Sequence, residues 1–171
     1  RRNHHWFNSY RFSFSTNGIN YGTEKVQRFI EKNRDHLSIG ITIDGTKRKH
    51  DLNRIWKTNE MEQGIRPKSE EEKGSYDDVV KNIPLWQEQF PNAGTKVTIS
   101  SADIPYIKES VLHLYSLGIH EAHINCVFED VWKEGDDILF EEQLTLLADA
   151  IIEGGYYENY ACSFFNEHMG K

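Results

Sequence analysis

Cysteine is almost missing from this chain: its 171 residues carry Cys126 and Cys162 and no third thiol. Two cysteines cannot build a disulfide framework, and they fit reduced thiols in a reducing compartment. Nor can they ligate an iron-sulfur cubane, which takes three or four closely spaced thiolates. Long apolar runs are missing too. No segment approaches the roughly 18 apolar residues of a membrane span, and Arg1 to Tyr10 hold no apolar stretch of the secretory-signal kind. Positive charge is in deficit, with 20 Lys and Arg against 27 Asp and Glu and a formal net charge of -7. A nucleic-acid binder needs the opposite balance, because its affinity comes from cations that displace phosphate counterions. The chain therefore reads as cytoplasmic, with neither a membrane nor a nucleic acid as partner.

What the chain has is core material. Hydrophobic residues make up 37 % of it, with four Trp, nine Phe and eight Tyr, enough to bury a single domain over residues 1–171. Four times, a short β-branched or aromatic run precedes a longer segment of helical apolar spacing, the alternation of parallel strands joined by helices. The spacing predicts strands at about Arg11 to Thr16, Leu37 to Asp44, Lys96 to Ser100 and Glu121 to Phe128. Helices are expected at about Thr23 to Asn33, Ser75 to Phe90, Ile104 to Leu117 and Phe140 to Glu153. Ser75 with Asp78 has the form of a capping box, and Asp103 ahead of Pro105 suits the start of the third helix. Gly118 and Gly154-Gly155 suit left-handed helix ends, and Pro84 should kink or divide the second helix. Residues 57–73 lack an apolar period and carry Glu70, Glu71 and Glu72 in a row, which marks an exposed insertion or loop.

Successive side chains on a strand point to opposite faces, so each strand can be read as two rows. Phe12 and Phe14 oppose Ser13, Ser15 and Asn17; Ile39, Ile41 and Ile43 oppose Ser38, Gly40, Thr42 and Asp44. Val97 and Ile99 oppose Lys96, Thr98 and Ser100, while Ala122, Ile124, Cys126 and Phe128 oppose His123, Asn125 and Val127. A sheet covered by helices on both faces is apolar on both. One apolar and one small, polar face imply helices outside and a concave, ligand-lined inside, that is, an α/β fold built as a partial TIM-like (βα) barrel. Ligands of such folds meet the carboxyl ends of the strands, which places Ser15, Thr16, Asn17, Thr42, Asp44, Ser100 and Asn125 near a site.

At those strand ends the sequence resembles a known family. Ser15-Thr16-Asn17-Gly18 is similar to the Thr-Asn-Gly motif closing the third strand of radical S-adenosylmethionine enzymes. Thr42-Ile43-Asp44-Gly45, followed by His50-Asp51 and Arg54, resembles their Ser-Ile-Asp-Gly-Pro and His-Asp-x-x-Arg pattern, with Thr42 in place of Ser and Thr46 in place of Pro. Gly74-Ser75-Tyr76 and Leu117-Gly118-Ile119 follow in the order those proteins show. The nearest subgroup is the peptide-modifying one that includes anaerobic sulfatase maturases. The resemblance runs from about Arg11 to Cys162. It implies an internal segment holding strands three to six of a six-stranded barrel, with the three-cysteine loop expected upstream of Arg1 and the auxiliary-cluster region beyond Lys171. It also implies S-adenosylmethionine and a [4Fe-4S] cluster as cofactors of the full-length enzyme, an electron donor for that cluster, and a peptide or protein substrate. The implied chemistry is cleavage of the cofactor to a 5′-deoxyadenosyl radical that abstracts a substrate hydrogen. The cofactor supplies the chemistry and the barrel supplies orientation. Thr42 would bond the methionine or ribose end, Ser15 or Thr16 with Asn17 would shape the adjacent lumen, and Asp44 would orient the Gly45 to Arg54 loop through His50 and Arg54. The isolated chain would be inactive, since it holds no cluster ligands.

Other groups compete for attention. His120, His123 and Cys126 lie three apart, but on a strand His123 points away from the other two, which disfavours a metal site. His4-His5 reads as a surface pair. Cys162 has no neighbouring His or Asp of a nucleophilic site, and Asp136, Asp137, Glu141 and Glu142 suit the start of a helix. The competing functional expectation is a small non-catalytic α/β domain that binds a nucleotide-like ligand or a protein partner.

Overall fold

The computed structural model describes residues 9–56, 73–129 and 131–165. The expected pair His4-His5 and nearly all of the expected insertion at 57–73 lie outside these residues.

Each expected strand is present, three of them shortened and the third shifted back by one residue: β1 is Phe12–Thr16, β2 Leu37–Ile41, β3 Thr95–Ile99 and β4 Glu121–Cys126. A fifth, β5, is the dipeptide Ala161–Cys162, a strand too short for a periodicity to reveal. Among the described residues the five strands pair in parallel, in the orders β1-β2 and β3-β4-β5. A single parallel bridge, Thr42 to Lys96, joins the two sheets. The second strand was expected to reach Asp44 and the fourth Phe128. Both stop earlier, at Ile41 and Cys126, and Phe128 is fully exposed instead of sharing the apolar face.

The helices are α1 Glu24–Asn33, α2 Lys47–Asn53, α3 Tyr76–Val80, α4 Ile83–Gln89, α5 Ile107–Ser116 and α6 Asp136–Glu153. Pro84 divides the expected second helix: it sits in the first turn of α4, where its missing N-H removes no helical bond. The expected third helix begins as a 3-10 turn, Ser101–Tyr106, which contains Pro105 and passes into α5. The capping box belongs there, with Ser100 as the N-cap and Asp103 as its reciprocal partner. The box expected at Ser75 and Asp78 does not form. The Ser75 hydroxyl is drawn to His50 and to the Arg54 carbonyl, and Asp78 is drawn to Trp56, Lys73 and Lys81. Asp51 Oδ1 caps α3 in its place, accepting from Tyr76 N at 2.9 Å.

The core lies on the helical side of the sheet. Ile39, Ile41, Ile43, Val97, Ile99, Ala122 and Ile124 are buried there with Ile30, Val79, Ile83, Trp86, Ile107, Val111, Leu114 and Leu147 from the helices. Trp86 also donates its indole N-H to the Ile39 carbonyl at 2.7 Å, which ties α4 to β2. β1 is different. Its Phe12 and Phe14 are 61 % and 41 % exposed, so the apolar face of this edge strand has no cover among the described residues. None of the described helices is long and apolar enough to cross a membrane.

Candidate functional site

The strand register gathers the polar rows on one side. Residues paired across a parallel ladder point the same way, so Ser13 stands beside Ser38 and Ser15 beside Gly40. Thr42 stands beside Lys96, which stands beside His123. One row further along, Thr98 stands beside Asn125. Strand spacing and rise put Thr42 and Asn125 roughly 12 Å apart. Among the described residues, the side chains of Ser15, Thr42, Thr98 and Asn125 form no hydrogen bond, so their donors and acceptors are open to a ligand.

Three expected site residues sit elsewhere. Thr16 pairs with buried Ile41 and so faces the helices, and its Oγ1 accepts from Gly18 N at 3.3 Å. Asn17 Oδ1 accepts from Ile19 N at 3.3 Å, shaping the turn after β1. Ser100 donates its hydroxyl to Asp103 Oδ2 at 2.7 Å, beside the capping-box bond of its own N-H to the same oxygen at 2.9 Å. These three border the site, and the side-chain oxygen of each is engaged in a local turn or cap.

Asp44 is 3 % exposed and fully engaged. The Arg54 guanidinium grips both of its oxygens, and Oδ1 also accepts from Thr98 N at 3.1 Å. The Asp44 N-H donates to His50 Nδ1 at 3.2 Å. His50 Nε2 then carries the proton and donates to Ser75 Oγ at 3.1 Å, which donates to the Arg54 carbonyl at 2.9 Å. Thus Asp44 orients the Gly45 to Arg54 segment through the two residues expected to do so. Burial pushes the His50 pKa down to about 4, with the carboxylates of Asp44 and Asp51 opposing and the cations Arg54 and Lys49 assisting.

The same segment holds a residue that the strand patterns did not single out. Lys49 on α2 is 1 % exposed. Its ammonium donates to the Thr98 carbonyl at 2.8 Å and lies 3.6 Å from Asp103 Oδ1. Burial lowers its pKa, while Asp44 and Asp103 pull it back up. α2 reads KRKHDLN; it buries Lys49 and His50 and leaves Leu52 44 % exposed. The one available signal was negative: a helix with no apolar stripe must be held by polar contacts.

The fold is that of a solved enzyme. Structures of anSMEcpe, an anaerobic sulfatase-maturating enzyme, superimpose on 91 % of this chain with a TM-score of 0.64 and 17 % identity. One is described with bound AdoMet (S-adenosylmethionine), and two more with AdoMet and a Cp18Cys or Kp18Cys peptide. The chain spans about 40 % of the length of those structures. At this identity the likeness is one of fold. No family model and no curated protein matches the sequence.

Set against that fold, the cysteines stand on the wrong side for a polar-face cluster. Cys126 pairs with Ile99 and Cys162 with Ala122, both in the apolar row. Burial raises both thiols, Cys162 to about 11, away from the thiolate form that a metal needs. No group of three or more His, Cys, Asp or Glu among the described residues could hold a metal ion. His123 Nε2 lies 3.6 Å from Glu121, and His120 stacks on Tyr160. The donor set fits AdoMet better: hydroxyls, an amide and an ammonium group spread over one face match a ligand with carboxylate, amino and ribose groups. A hollow of about 540 Å³ opens beside the end of β4, lined by Cys126, Trp132, Gly135 and Phe140 among others. A larger one, about 650 Å³, lies at the opposite, amino ends of the strands, around Pro91, His120 and Tyr160.

The ends of the expected insertion are held beside this rim. Ile55 and Gly74 form an antiparallel bridge, Trp56 N donates to Lys73 O at 2.9 Å and Ser75 N to Arg54 O at 2.9 Å. Asp78 accepts from the Trp56 indole at 3.1 Å and from Lys73 at 2.9 Å, which closes the stem.

Proposed function

We propose that this chain is a segment of a radical S-adenosylmethionine enzyme that modifies a peptide or protein, its strands forming part of a barrel wall against AdoMet. The observation that carries the reading is the one-sided sheet: helices cover the apolar face of β2, β3 and β4, while unengaged polar side chains line the other face toward their carboxyl ends. The AdoMet-bound maturases of the same fold support the cofactor, and the peptides in two of those structures support the substrate class.

In this reading Thr42 and Asn125 contact AdoMet, and Ser15 lines the lumen beside them. Thr16 and Asn17 shape the turn that borders it. Asp44 and Ser100 act through others, holding Arg54, Thr98 and Asp103 in place. AdoMet held against this wall, with a [4Fe-4S] cluster whose ligands are not among the residues described, would supply the radical chemistry. This wall orients its polar groups, and the isolated chain binds no cluster and is inactive.

Equilibrium binding of AdoMet to the full-length, cluster-reconstituted protein tests this. The wild type should bind, and Thr42→Val should weaken binding about tenfold, the scale of one lost hydrogen bond. Release of 5′-deoxyadenosine under reducing conditions should accompany binding. A reconstituted wild type without measurable AdoMet affinity would sink the proposal.

A further inference from the structure

The seam between β2 and β3 has one backbone bridge and then comes apart. Among the described residues no bridge joins β2 and β3 beyond Thr42 and Lys96, and the N-H and C=O of Thr98, next along that edge of β3, meet no strand there. Backbone groups that lose a strand partner take others where the fold offers them. Both are taken by charged side chains from the segment after β2: Asp44 Oδ1 accepts from Thr98 N at 3.1 Å, and Lys49 Nζ donates to Thr98 O at 2.8 Å. The second anchor is Asp103. It faces Lys49 at 3.6 Å and accepts from Ser100 N at 2.9 Å and from Asn53 at 3.4 Å. Lys49 and Asp103 are 1 % and 3 % exposed, which makes this a built charge pair and not a surface contact.

We infer that Lys49, with Asp103, is a positioning device for the AdoMet wall: it keeps the β2–β3 seam spread and fixes Thr98 and Ser100 at the rim. The inference rests on the proposed function for its ligand and on hydrogen-bond geometry for its placement. A continued ladder would have drawn β3 against β2 here. The ammonium holds the Thr98 carbonyl instead, and the space beside Thr42 and Asn125 stays accessible.

Three variants of the full-length protein separate this from simple stabilisation. Lys49→Met keeps the aliphatic stem and removes the ammonium, leaving Asp103 short of a buried counter-charge, so thermal stability should fall. Asp103→Asn leaves an oxygen for the Ser100 cap and removes the opposing charge. The double variant Lys49→Met/Asp103→Asn removes the imbalance, and its melting temperature should recover most of the loss. Amide hydrogen exchange at Thr98 to Ser101 and the affinity for AdoMet should not recover with it. Exchange should remain faster and the Kd about tenfold raised, because Thr98 O still lacks its donor. If rim protection and affinity return together with the melting temperature, Lys49 is structural only and the inference is overturned. If the wild type binds no AdoMet, the proposed function and the ligand half of the inference fall together. Unchanged Thr98 exchange in Lys49→Met would remove the positional half, whatever AdoMet does.

Discussion

Acidification from about pH 7.5 to about pH 4.5 should weaken the fold through one side chain, His50. The ring is completely buried, accepts from Asp44 N and donates to Ser75 Oγ. Both nitrogens are therefore committed in the neutral form, and a second ring proton would face the Asp44 N-H. Burial depresses its pKa from 6.5 to about 4. The unfolded chain thus takes up the proton first as the pH falls. The stabilisation is whole above about pH 6.5 and is lost progressively down to about pH 4. At 1.36 kcal/mol per unit the full loss is about 3 kcal/mol, of which about 2.5 is gone by pH 4.5. For a chain of this size that is a drop of about 5–10 °C in melting temperature. Thermal unfolding followed by circular dichroism across this range, for wild type and His50→Gln, isolates the effect. The variant should be less stable at neutral pH and should lose less on acidification, by the amount assigned to His50. The His50 ring resonance in an NMR titration should stay in its neutral position down to about pH 5. A ring that titrates near 6.5, or parallel pH curves for the two proteins, would refute the reasoning.

Thr95→Val should cost about 1–3 kcal/mol in urea unfolding with an unchanged slope: the hydroxyl donates to Ile41 O at 2.6 Å and accepts from Ile43 N at 3.2 Å, and its loss leaves these two buried backbone groups with the bridge to Lys96 alone. Gly45→Ala should be destabilising by more than about 2 kcal/mol on the same assay, because φ is +123° and a Cβ would lie 2.8 Å from Ser110 Cα and closer to its side chain. Phe12→Lys with Phe14→Lys should reduce self-association in sedimentation at high concentration, since an uncovered apolar edge strand invites pairing; unaltered sedimentation would show that this edge does not associate.

The strand rows were legible because the sheet is apolar on one side only, and the register confirms that Ser13, Ser15, Thr42, Lys96, Thr98, His123 and Asn125 share the other. Pro84 and Gly118 were also legible, since the physics of a missing N-H and of a positive φ, here 74° at Gly118, acts locally. The failures are contacts between residues far apart in the chain. Ser75 looks like an N-cap from its neighbours, but its hydroxyl answers to His50, 25 positions earlier. Thr16 is a different case: the strand's own alternation sets it with Phe12 and Phe14, and its pairing with Ile41 agrees. Lys49 has no pattern at all: a buried ammonium is set by Thr98 and Asp103, which sequence spacing does not connect to it.

The two-rung stem at Ile55 and Gly74 separates what lies above it from what lies below. Closing a longer loop on a fixed base costs only about 0.6 kcal/mol per doubling of its length. The stretch between Trp56 and Lys73 can therefore be lengthened, shortened or rewritten by evolution, or by an engineer, with little charge to the wall beneath.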